Sequence, residues 1–109
     1  MPGWTVELLD DAVAAELDAW PQDLRAALTR IIERITSLGL ERIGEPHVRH
    51  IEGKLWEMRP SGKQGEGRAL YVAASGRRVV IVLAFLKKTR KTPYRMIELA
   101  LKRAGRIGR

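Results

Sequence analysis

The chain has no cysteine. That excludes a disulfide framework, a thiolate metal site and a cysteine nucleophile, and it fits a protein of the cytoplasm. Histidine is nearly missing too, with only His47 and His50. They lie at the approach to a strand, which places their rings on opposite faces, and no third ligand has suitable spacing, so no metal and no cofactor is expected. Six aromatic residues are present and none is interleaved with the main cationic cluster, which argues against a base-stacking platform. No apolar run approaches the ~18 residues of a membrane span, and the N-terminus lacks the pattern of a secretory leader. The expectation is a soluble cytoplasmic protein with no membrane partner, folded as one domain over residues 1–109.

Negative charge is missing from one long stretch. No carboxylate occurs between Arg68 and Arg95. Residues 1–40 hold three basic and seven acidic groups, whereas residues 41–109 hold seventeen basic and six acidic groups. A chain with net charge +7 distributed in this way presents one strongly basic face, suited to nucleic acid or another polyanion.

What is present reads as α+β. Residues 4–9 have the β-branched and aromatic character of a short strand. Asp10 and Asp11 can cap a helix over residues 12–17, which Pro21 ends. Leu24, Leu28, Ile31, Ile32, Ile35 and Leu38 recur at helical spacing up to a stop at Gly39, and Asp23 suits the positive end of that helix. Residues 54–59 and 68–74 alternate as strands around a flexible, glycine-rich loop at 60–67. Leu55, Glu57 and Arg59 share one face of the first of these strands, and Trp56 and Met58 share the other. Residues 79–86 are apolar on both faces, as in a central strand. Thr92 as N-cap and Pro93 at the first position open a last helix. The sum is a small, mainly antiparallel sheet (strand, two helices, three-strand meander, C-terminal helix), with helices packed on one face.

The junction Phe85-Leu86-Lys87-Lys88-Thr89-Arg90-Lys91-Thr92-Pro93 joins the buried strand to the last helix, and four of its nine residues are cations. Cations held beside a helix N-terminus suit a phosphate.

In this order, Gly53-Lys54-Leu55-Trp56-Glu57-Met58-Arg59, Gly67-Arg68-Ala69-Leu70-Tyr71, the lysine-rich junction and Ile97-Glu98-Leu99-Ala100 resemble the phage-related, HigB-like branch of the RelE/HigB toxin superfamily. The resemblance implies the RelE-like fold and a type II toxin that cleaves mRNA, commonly at the ribosome. It also implies a cognate helix-turn-helix (HigA-like) antitoxin and no metal. Two positions depart from it. Leu83 stands where a histidine is common, and Met96 where a glutamate is common, and each removes a proton carrier.

Metal-independent RNA cleavage requires the 2′-OH to attack the adjacent phosphorus, with the charge on phosphate stabilised and two protons managed. On the resemblance, Arg59, Arg68, Lys87, Lys88 and Lys91 are the catalytic candidates, and Lys54, Lys63, Arg90 and Tyr94 bind substrate. Arg59 and Arg68 flank one hairpin and are expected to converge on a phosphate, the alternative being a pair of surface arginines that bridge Glu57 or Glu66. A lysine acting as base would have to fall from about 10.4 to neutrality, ~4–5 kcal/mol, so the lysines are assigned to charge stabilisation. Tyr71 has the neighbours of a core residue. The alternatives are a non-catalytic RNA- or DNA-binding module, and an attenuated toxin that still pairs with its antitoxin.

Overall fold

The computed structural model describes residues 3–107. The elements run β1 (Thr5–Leu8), α1 (Asp11–Asp18), α2 (Gln22–Leu38), a short 3-10 turn (Leu40–Arg42), β2 (Val48–Glu52), β3 (Leu55–Met58), β4 (Ser61–Gly62), β5 (Gly65–Ala74), β6 (Arg78–Leu86) and α3 (Tyr94–Ala104). The α+β architecture expected from the sequence is what forms. One sheet has the order β1-β6-β5-β3-β2, and β4 pairs with β5 alone. All pairs are antiparallel except β1 with β6, which is parallel with Thr5 opposite Arg78.

The helices do not share one face, contrary to the expectation. The core on one side is built from α1 and α2 residues such as Val13, Leu24, Leu28, Ile31 and Ile35, set against Met58, Tyr71, Val79 and Ile81. On the other side Ala100, Met96 and Ile97 of α3 pack on Leu55, Leu70, Val80, Val82 and Leu83. A strand apolar on both faces, such as β6, needs cover on both, and α3 supplies the second. The register shifts between Leu70 and Tyr71, so that Leu70 faces Leu83 while Tyr71 faces Ile81. Val82 is the extra residue of this bulge, which is why Val82 and Leu83 both join the α3 core although they are adjacent.

Local signals place the rest. Asp10 caps α1, its Oδ1 accepting from the Val13 N–H at 3.2 Å, and Gly39 ends α2 at φ 93°, a conformation open mainly to glycine. Residues 60–67, expected as a flexible loop, form a two-residue hairpin between β4 and β5. Its tip is fixed where the Lys63 N–H donates to Asp23 Oδ2 at 2.8 Å. Gly67 lies flat under Trp20, and a Cβ there would meet the indole ring at 2.6 Å. β2 adds a strand to the expected meander. Its residues alternate poorly and are mostly exposed, as an edge strand allows.

Candidate functional site

β3, β5 and β6 bring their charged residues together at one end of the sheet. β3 ends at Met58, just before Arg59; β5 begins with Glu66 and Arg68; β6 ends before Lys87. Glu57 sits opposite Leu70, which leaves Arg68 as its diagonal neighbour within reach of long side chains. Glu57 and Arg68 are each only 2 % exposed. Arg68 Nε lies 3.5 Å from Glu57 Oε1, and Arg59 Nε lies 3.7 Å from the same oxygen. The other Glu57 oxygen accepts from the Thr92 hydroxyl at 2.8 Å.

Glu66 extends the network outward. It accepts from Arg68 Nη2 at 3.1 Å and lies 3.4 Å from Lys87 Nζ. The second Arg68 donor bonds the Gly67 carbonyl at 2.9 Å. The Arg68 hydrogen bond, reinforced by the nearby Lys87 charge, holds the Glu66 carboxyl below its ordinary range. Glu66 is the solvent-facing carboxylate of this group, with a side chain 41 % exposed against 3 % for Glu57.

Arg68, Lys87, Lys88, Lys91 and Arg95 line a cleft of about 550 Å³ at the end of β6, with Trp20 in its wall. Its one carboxylate is Glu16, which is already paired with Arg103 at 2.9 Å. Arg68 and Lys87 are shared with Glu57 and Glu66, so Lys88, Lys91 and Arg95 supply the surplus positive charge that concentrates anions in the cleft.

The candidates therefore divide. Arg59, Arg68 and Lys87 are brought together, but Arg59 and Arg68 converge on the Glu57 carboxylate rather than on open space. An unpaired carboxylate at that depth would cost several kcal/mol, ~3–5, so two guanidiniums gather around it. Lys88 and Lys91 stand in the same cleft as Lys87. Arg90 is exposed in the loop, and Tyr94 is 67 % exposed on the first turn of α3. Lys63 is exposed at the tip of the β4–β5 hairpin. Lys54 does not join them. It lies in the β2–β3 turn at the other end of β3, about 15 Å away by strand rise, beside Trp4 and Trp56. Tyr71 is buried, and burial pushes its phenol well above the usual range.

Thr92 is not the cap of α3. Pro93 precedes the first helical residue in an extended conformation and no side chain caps the helix, because the buried Glu57 takes the threonine hydroxyl. Leu83 and Met96 both pack in the α3 core, so the two missing proton carriers are replaced by apolar filling. The bridging of Arg59 and Arg68 to Glu57 and Glu66, expected only as the structural alternative, is what forms, with Arg68 buried rather than at the surface. The available signal was a glutamate on the same strand face as Leu55, since a carboxylate facing a core requires partners.

The Phage derived protein Gp49-like family profile matches residues 15–105. Among solved structures, a double mutant of the E. coli toxin RelE in the free state superposes with a TM-score of 0.66 at 13 % identity, over 93 % of this chain and 97 % of that one. That likeness is one of fold. No curated protein matches the chain. With most of its length matched, the chain belongs to the family of phage-derived Gp49-like proteins.

Proposed function

We propose that this chain is a metal-independent endoribonuclease toxin that cleaves mRNA at the ribosome and is neutralised by a helix-turn-helix antitoxin. The observation that carries the reading is the cleft in which Lys88, Lys91 and Arg95 stand beside Lys87 and the buried Arg68, while Glu16, the one carboxylate lining it, is already paired. A phosphodiester seated there meets fixed positive charge where the transition state gains negative charge. The 2′-oxygen attacks phosphorus, the 5′-oxygen leaves, and a 2′,3′-cyclic phosphate forms. Lys87, Lys88 and Lys91 stabilise the phosphorane oxygens. Arg68, buried beneath them, positions Glu66 and Glu57. Glu66 is ionised at neutral pH and exposed, so it accepts the 2′-OH proton, while a lysine ammonium returns a proton to the leaving oxygen. Arg90, Lys63 and Tyr94 contact flanking RNA around the loop. An acidic antitoxin segment laid over Lys88 and Lys91 would block phosphate access through charge complementarity.

The test is cleavage of RNA by the purified chain, alone and in a translating extract, with chelator present. Cyclic phosphate ends are expected. Lys87→Ala should slow cleavage roughly a hundredfold to a thousandfold, ~2.7–4 kcal/mol of activation, with its circular dichroism unchanged. Intact RNA under both conditions, together with no neutralising partner encoded beside the gene, refutes the reading.

A further inference from the structure

A second cleft is larger than the basic one, and the cation cluster does not fill it. It has about 760 Å³ and lies between one flank of α2 and the segment that leads into β2 and out of β3. Arg30, Glu33 and Arg34 line it from α2, His47 and Arg59 from the opposite wall, and Ile31 contributes to an apolar floor, so that the three arginines outnumber the two carboxylates, Glu33 and Glu66. Glu66 stands on its border, and the same carboxylate contacts Arg68 and Lys87 of the basic cleft. The two clefts therefore meet at Glu66.

We propose that this second cleft seats a nucleotide of single-stranded RNA next to the scissile phosphate. The inference rests on the endoribonuclease reading. Three features favour a nucleotide. The volume is of the size that encloses a small molecule. The apolar floor suits a base, while Arg30 and Arg34, one helical turn apart, stand along the rim where a phosphate would follow. Arg59 Nε is buried there without a hydrogen-bond partner, since the nearest Glu57 oxygen is 3.7 Å away, beyond hydrogen-bond length. An acceptor on an incoming base or sugar would satisfy it. An acidic peptide could use the arginines equally well, but continuity with the basic cleft at Glu66 favours one strand that crosses both.

The experiment measures binding of fully 2′-O-methylated RNA oligonucleotides of two, four and six nucleotides, which bind without being cut. Affinity should rise with length. The double variant Arg30→Ala/Arg34→Ala should remove most of that rise, roughly tenfold on the six-mer, while the two-mer changes little. Its salt dependence on the six-mer should become shallower by ~0.7 in log–log slope for each phosphate that is no longer neutralised. Arg25→Ala, on the far flank of α2 and outside the cleft, is the control for general charge. The proposal fails if the double variant keeps the length dependence, if Arg25→Ala has the same effect, or if the double variant loses only the antitoxin. Absence of any oligonucleotide binding would refute the endoribonuclease reading as well. Normal cleavage with no length effect would refute the subsite alone.

Discussion

Two ion-pair clusters lie along β6, and they are built to opposite ends. β1 pairs β6 only as far as Ile81, which leaves the next residues with an open edge. There Glu16 of α1 accepts from the Ala84 N–H at 3.1 Å, and Arg103 of α3 donates to the Val82 carbonyl at 2.9 Å. The two side chains pair with each other at 2.9 Å. One carboxylate meets one guanidinium, and the backbone uses what remains. The cluster at the end of β6 has two carboxylates, Glu57 and Glu66, among Arg59, Arg68 and Lys87, with Lys88 and Lys91 beside them. Its charge does not balance, and a buried guanidinium nitrogen goes without a partner. A balanced cluster that joins elements is structural, whereas surplus charge around a cleft can serve an external anion.

The largest effect expected from breaking this contrast is on stability. Arg68→Ala leaves Glu57 buried with only the more distant Arg59 and the Thr92 hydroxyl, and it should destabilise the fold by ~3–5 kcal/mol, read as a lower denaturant midpoint. If Arg68→Ala keeps full stability, Glu57 is not held as described. Next is Arg103→Ala, which releases Glu16 and the Val82 carbonyl. A loss of ~1–3 kcal/mol is expected, with RNA cleavage per folded molecule unaltered. A fall in cleavage at unchanged stability would erase the distinction between the clusters.

The smallest effect on stability, and the sharpest test, belongs to Glu66→Gln. Removing the exposed carboxylate frees Arg68 and Lys87 for phosphate, so binding of uncleavable RNA should strengthen several-fold at low salt. Cleavage should fall, because the proton acceptor is gone. The pH dependence has a definite sign. The folded pKa of Glu66 is depressed below about 4.5, so its contribution to stability is present above that value and is lost as pH falls through the depressed one. Glu7, hydrogen-bonded by Arg78, is shifted in the same direction. Acid unfolding of Glu66→Gln should accordingly be less steep than that of the parent below pH ~4.5. Equal steepness would show that Glu66 contributes nothing in this window.

Most of the fold was legible because its signals are local. The i, i+3, i+4 spacing from Leu24 to Leu38 fixed α2, Asp10 marked a cap, and the unbroken apolar run before Lys87 marked a strand covered twice. That run already required cover on a second face, but no local signal says which helix provides it, and α3 was expected beside the others. β2 was hard to read because an edge strand tolerates Arg49, His50 and Glu52 in sequence. The bulge at Val82 left no mark at all, since every residue around it is apolar. In the site, the clustering of Lys87, Lys88 and Lys91 could be read from sequence proximity. A bridge from Arg59 and Arg68 to Glu57 or Glu66 was one of two readings, but that both meet Glu57 in the interior could not be read, because it depends on which residue of β3 lies opposite Leu70. Lys54 was misplaced because nearness in sequence to Arg59 gives no measure of distance along an extended strand.

The parallel pairing of β1 with β6 has a kinetic consequence. Glu7 and Arg78, 71 residues apart, share two hydrogen bonds, so β1 has no strand neighbour until β6 has been made. Long-range closure of this kind is slow because its entropy is lost before the contacts form. The basic loop follows β6 directly, and its anchor residue Thr92 binds a carboxylate made 35 residues earlier. The sheet and the loop are thus completed together, and the cationic cleft is not assembled until β6 has joined β1 and Thr92 has reached Glu57.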